Sequence, residues 1–117
     1  MIYYYKKSNG EVVKLEQQDE LWLYNMNIIE LIIPADCKIV SCPNNQLKEL
    51  ILPDVCKVVS CWRNQLKELI IPDSCKDINC EENKIKELIL PDSCKDVRAD
   101  MKSVTELNKV EELDLWI

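Results

Sequence analysis

Apolar and polar positions recur along this chain at one long, regular interval. Pro34, Pro53, Pro72 and Pro91 are separated by 19 positions each, and so are Cys37, Cys56, Cys75 and Cys94. The same interval joins Cys42, Cys61 and Cys80, and again Asn45, Asn64 and Asn83. Three consecutive units, CPNNQLKELILPDVCKVVS, CWRNQLKELIIPDSCKDIN and CEENKIKELILPDSCKDVR, run from Cys42 to Arg98. Self-similarity at a fixed period is the signature of a repeat architecture. A unit this short cannot hold a strand, two connections and a full α-helix, so each predicts one coil of a solenoid.

Within a unit, the stretch from Val58 to Trp62 alternates as a strand does. Val59 and Cys61 fall on one face, and Val58, Ser60 and Trp62 on the other. The return path places Leu66, Leu69 and Ile71 as apolar positions and then meets Pro72, which blocks a continuing helix; an extended or short 3₁₀ outer arc is expected. A single coil cannot bury its own apolar residues, whereas stacked coils share one interior. Asn45, Asn64 and Asn83 sit where the chain leaves the strand, where a buried amide can bond the backbone of adjacent coils. Left unpaired, each would cost ~1–3 kcal/mol. The equivalent positions at the two ends are Met26 and Lys102, where such a ladder has only one neighbour.

The residues Cys56, Val59, Cys61, Asn64, Leu66, Leu69, Ile71 and Pro72 spell C-x-x-V-x-C-x-x-N-x-L-x-x-L-x-I-P. This resembles the leucine-rich repeat, L-x-x-L-x-L-x-x-N-x-L, with cysteine in two leucine places. The nearest variety is the short form with a proline on the outer arc, seen in bacterial effectors and in proteins of large DNA viruses. The match covers roughly Gln18 to Ile117. The resemblance implies a family of α/β class, mostly β here: a right-handed solenoid of about five or six coils, with a parallel concave sheet and a short 3₁₀ or extended convex side. At ordinary strand spacing that sheet would be about 25 Å wide. It also implies recognition of a protein or peptide on the concave face and, by analogy with effectors, interference with a host protein.

Outside the regular units, Ile2 to Tyr5 and Glu11 to Leu15 flank Asn9-Gly10, a strong hairpin signal. Residues 1–17 are expected to form a β-hairpin cap over a solenoid of residues 18–117, in one domain overall. Val110 to Trp116 repeats the strand half of a unit, which predicts an edge at Leu113 to Ile117 through which copies could self-associate.

Residues between the buried strand positions should project from the concave sheet in columns. One column is Glu20, Ile39, Val58, Asp77, Asp96 and Glu112; the next is Trp22, Ser41, Ser60, Asn79, Arg98 and Asp114; the third is Tyr24, Pro43, Trp62, Glu81, Asp100 and Trp116. All three tryptophans fall in these outward positions, although a purely structural Trp is expected inside. The surface divides into an apolar and aromatic half, with Trp22, Tyr24, Ile39, Pro43, Val58 and Trp62, and an acidic half that includes Asp77, Glu81 and Asp100. With Arg63 just beyond the strand, Trp22, Tyr24 and Trp62 are the expected anchors, since Trp, Tyr and Arg dominate binding hot spots. Trp116 extends the set at the C-terminal side. The acidic half would steer a basic partner segment.

Composition narrows the chemistry. The net charge is −6, which disfavours unspecific attraction to nucleic acid or anionic membranes. There is no histidine and a single glycine, so the commonest general base and a phosphate-cradling loop are both missing. No D-x-D-x-D-G calcium loop occurs. The sequence therefore predicts a non-enzymatic binder without a cofactor. Its seven cysteines sit at consensus leucine places, which predicts buried free thiols that act as small apolar groups. A thiol-based metal or redox protein is the rival reading. The odd cysteine count, with no signal-like start and no long apolar run, places the expected protein in a reducing, cytoplasmic setting.

Overall fold

The computed structural model describes residues 1–99, together with the backbone of two short strands farther on, Glu106–Leu107 and Asp114–Trp116. It is a parallel β-solenoid of about four 19-residue turns, preceded by an antiparallel three-stranded sheet. No helix of any kind occurs among the described residues, so the α/β class expected from the family gives way to an all-β chain. Of the two outer-arc conformations expected, extended or short 3₁₀, no 3₁₀ segment occurs among the described residues, and the outer arcs are extended or turn. Pro53 and Pro72 stop helix growth at the end of each arc, and a coil of this length has no residues to spare for a helical turn.

The N-terminal part consists of β1 (Tyr3–Lys7) and β2 (Val12–Leu15), paired antiparallel with Tyr5 opposite Val13. The turn closes by a bond from the Gly10 N–H to the Lys7 carbonyl at 2.9 Å. Gly10 has φ +92°, a conformation that costs other residues more, so the sole glycine is where the turn requires it. Strand β3 (Glu20–Trp22) opens the solenoid sheet, and β4 (Ile28–Ile32) follows on the outer arc of the first coil. The expected hairpin is present, but it extends into a third strand. Strand β4 pairs with β1, placing Leu31 opposite Tyr5, and so ties the cap to the first coil.

The solenoid sheet continues with β5 (Ile39–Ser41), β6 (Val58–Ser60) and β7 (Asp77–Asn79). After β8 (Glu87–Leu88) on the outer arc come β9 (Asp96–Arg98), then β10 (Glu106–Leu107), which pairs with β8, and β11 (Asp114–Trp116). The sheet order is β11-β9-β7-β6-β5-β3, parallel throughout. Registers advance by the repeat itself: Leu21, Val40, Val59, Ile78 and Val97 lie side by side and are all buried.

The core is a stack of such columns. Ile28, Leu47, Leu66 and Ile85 form one, Leu31, Leu50, Leu69 and Leu88 another, and Ile33, Leu52, Ile71 and Leu90 a third, every member buried. Leu23, Cys42, Cys61, Cys80 and Ala99 line the far end of the strands. At the near end, each Pro-x-x-Cys segment, Pro-Ala-Asp-Cys in the first coil and Pro-Asp-x-Cys in the next three, closes a turn. The N–H groups of Cys37, Cys56, Cys75 and Cys94 donate to the carbonyls of Pro34, Pro53, Pro72 and Pro91 at 3.0–3.1 Å.

The three buried asparagines act as the sequence predicts. The Asn64 amide accepts from the Leu47 N–H of the preceding coil at 3.0 Å, and donates to Cys42 O at 3.0 Å and to its own coil's Cys61 O at 3.1 Å. Asn83 repeats this with Leu66 N–H, Cys61 O and Cys80 O. Asn45 accepts from both Met26 and Ile28 N–H groups, so the atypical first coil is joined to the ladder although Met26 stands at the equivalent position. Immediately before these residues, Asn25, Asn44, Arg63 and Glu82 all adopt positive φ of 53–59°. Asparagine tolerates that region; Arg63 and Glu82 do not gain from it.

Two outcomes follow for stability. Asn64→Ala leaves the buried Leu47 N–H without its acceptor and takes one of two amide donors from each of Cys42 O and Cys61 O, so it should lose about 2 kcal/mol in urea unfolding, since an orphaned buried group costs ~1–3 kcal/mol. A loss below about 1 kcal/mol would show that the amide ladder is dispensable. Glu82→Asn removes the left-handed strain and should gain about 1 kcal/mol in the same assay, because that conformation costs most L-residues ~1–2 kcal/mol.

Candidate functional site

Strand register determines which side chains share the concave face. The pairs Glu20–Ile39–Val58–Asp77–Asp96 and Trp22–Ser41–Ser60–Asn79–Arg98 are true cross-strand neighbours. The ladder continues past the strands. The Asn25 N–H donates to Pro43 O at 3.1 Å, Asn44 to Trp62 O at 2.8 Å, and Arg63 to Glu81 O at 2.9 Å. Tyr24, Pro43, Trp62 and Glu81 therefore form the third column.

Trp22 is 65% exposed and Tyr24 58% exposed on this face, and both are too large to be left in water without consequence. The Trp22 indole N–H donates to the Glu20 carboxylate at 3.1 Å, which orients the ring along its own strand. The rings of Tyr24 and Trp62 approach to 5.9 Å between centroids at a 57° tilt, an edge-to-face geometry. They belong to coils two apart, and Pro43 of the intervening coil lies buried. Trp62, Ile39 and Val58 are half-buried, whereas Arg63 and Asp77 are exposed and Glu81 is half-buried. The small side chain of Pro43 lies between the flanking rings and leaves room for them to meet.

Beside the aromatic group, Val58, Ser60, Asp77, Asn79, Asp96 and Arg98 line a shallow depression of about 220 Å³. It joins the apolar half of the face to the acidic half. Asp100 lies outside the described residues, as do Lys102, Leu113, Ile117 and the side chain of Trp116. Strand β11, within the edge expected at Leu113 to Ile117, pairs with β9 so that Asp114 lies opposite Asp96 and Trp116 opposite Arg98, each one column away from its expected place, because the final turn departs from the 19-residue period.

The seven cysteines are free and buried. The Cys37 thiol donates to Ile39 O at 3.1 Å and the Cys56 thiol to Val58 O at 3.4 Å. Burial pushes Cys42, Cys75 and Cys80 up to about 12 and Cys56 up to about 11. Cys61 is raised well beyond an ordinary thiol by burial and by its cysteine neighbours, and Cys37 is raised by burial against the lowering effect of its bond to Ile39. Such thiols stay protonated and are poor nucleophiles and poor ligands.

One surface escaped the sequence reading. Ile51, Ile70 and Ile89, again 19 apart, stand 71%, 82% and 63% exposed on the outer arc. The signal was available in Leu69-Ile70-Ile71: on extended chain the middle of three apolar residues must point away from the other two. Near the cap, Met1, Ile29, Ile51 and Val55 line a groove of about 800 Å³ between β4 and the second coil's arc.

The fold thus defines the chain as a parallel β-solenoid with 19-residue turns and an N-terminal antiparallel sheet. No family model matches the chain, and neither the curated proteins nor the solved structures contain a match.

The raised thiols carry a pH dependence whose sign is determined. Unfolded, each ionises near pH ~8.5; folded, it stays neutral to a higher pH, so its stabilising contribution is whole below ~8.5 and is lost as pH climbs toward the raised values. The urea midpoint in reductant should fall between about pH 8 and pH 10, by as much as ~1.4 kcal/mol per pH unit for each thiol involved. Cys42→Ala with Cys61→Ala should flatten that slope. A midpoint independent of pH would mean that the thiols are accessible in the folded chain.

Proposed function

We propose that this chain is a leucine-rich-repeat protein that captures a protein or peptide segment on its concave sheet, without catalysis. The observation that carries the reading is the exposed Trp22 and Tyr24 grouped with Trp62 on one face of a regular parallel sheet. Aromatic side chains held on a rigid scaffold offer large contact area at little ordering cost, and burying them on a partner is strongly favourable.

The neighbouring depression with Asp77, Asn79, Asp96 and Arg98 supports a partner that follows its apolar anchor with a polar, mainly basic stretch. The cysteine-rich interior supports a reducing location, where thiols persist unpaired. The leucine-rich-repeat assignment is supported by the buried asparagines and by the columns at leucine positions. A non-catalytic role is supported by a chain without histidine and by thiols held protonated.

The test starts with peptides selected by display against the immobilised chain. The variant Trp22→Ala with Trp62→Ala should keep its circular dichroism spectrum and thermal midpoint within a few degrees, yet bind those peptides at least about ten-fold more weakly, as loss of hot-spot residues does. Unchanged binding removes the concave aromatic site. A collapsed fold in the double variant would assign the indoles to internal packing instead.

A further inference from the structure

The first coil departs from the others on its outer side. In the second and third coils the outer arc follows the solenoid, and one backbone bond links each arc to the next: Gln65 N–H to Leu47 O and Lys84 N–H to Leu66 O, both 2.8 Å. The first coil has the matching bond, Gln46 N–H to Ile28 O at 2.9 Å. Beyond that point its arc is a true strand, β4, whose pairing is with β1 on the cap side. A strand in an antiparallel pair turns alternate N–H and C=O groups toward its partner and the others away. Among the described residues, Ile29 to Ile33 make no backbone bond to the second coil. The second edge of β4 therefore faces the groove with its backbone groups unpaired.

That groove has the other attributes of a strand-accepting site. Its wall is apolar, with Ile29, Ile51 and Val55 among its lining residues, all at least partly exposed to solvent. Glu30, Glu49 and Asp54 also line it, against the cations of Lys48 and the amino group of Met1, so carboxylates are in excess in a chain of net charge −6. We propose that this groove binds an extended peptide segment that adds as a strand to the free edge of β4, its alternate apolar side chains packed between the cap and the second coil, and its ends basic. Backbone pairing gives such a complex its affinity and the apolar pockets give it selectivity. The site lies on the outer arc, away from the indoles of the concave face, and does not depend on them.

The probe is a fluorescein-labelled peptide, KVTITVK, titrated with the full chain and read by anisotropy. It should bind saturably, while the counterpart EVTITVE binds at least ten-fold more weakly. N-methylation of one alternate set of its amides should abolish binding, and N-methylation of the other set should leave it, because only one set faces β4. Ile51→Glu, a change at an exposed position that leaves folding intact, should weaken KVTITVK at least ten-fold, whereas Trp22→Ala with Trp62→Ala should leave it unchanged. The proposal is overturned if no saturable binding occurs up to about 1 mM, or if both N-methylated peptides bind like the parent. It is equally overturned if the concave variant loses binding while Ile51→Glu keeps it. A dimer in sedimentation that Ile51→Glu dissociates would make a second copy of the chain the occupant and would also overturn it.

Discussion

The buried side-chain amide at the exit of β5, β6 and β7 is the interaction on which the rest of this structure depends. A coil of 19 residues turns sharply after its strand, through a residue at positive φ, and leaves carbonyls pointing into the apolar interior, where each needs a hydrogen-bond partner. Asn64 meets this by bonding Cys61 O of its own coil while bridging to Cys42 O and the Leu47 N–H of the coil before. One side chain thus closes a turn and sets the stacking of two coils. Since strand register is inherited from that stacking, the alignment of every buried column and of every concave column follows from it.

The cysteines make sense within the same constraint. A short coil encloses a thin core, and leucine at both ends of each strand would overfill it; cysteine is apolar and small. Its cost is chemical, because a thiol must remain protonated to stay inside. The same burial that suppresses ionisation also suppresses reactivity, which makes the cysteine array a packing device and sets it apart from a reactive one.

Two faces of the molecule carry exposed apolar side chains, and they differ in kind. The concave face presents rings projecting from a sheet whose inner strands pair with one another, so a partner on that face meets side chains. At β4 the outer arc presents the reverse, an apolar cleft beside an unpaired strand edge, so that main-chain pairing becomes available. The difference arises because the concave strands pair with one another, whereas the outer arc of the first coil forms a strand whose partner is in the cap.

The repeat period, the inward cysteines and leucines, the asparagine ladder, the hairpin at Asn9-Gly10 and the concave columns from Glu20 to Arg98 were legible in the sequence, because each depends on spacing alone; the last strand, where the period is broken, was misplaced by two residues, since Asp114 and not Glu112 pairs with Asp96. In a solenoid every contact is between equivalent positions one period apart, so local pattern and tertiary neighbour coincide. Tertiary structure alone decided the rest. Extended pairing of Ile28–Ile32 with β1 joins segments unrelated by the period, and nothing in the spacing of Ile28 to Ile33 announces it. The meeting of Tyr24 with Trp62 across Pro43 spans two coils and depends on the size of the residue between them. Periodic contacts can be counted along a chain; contacts that break the period are settled only when competing surfaces pack in space.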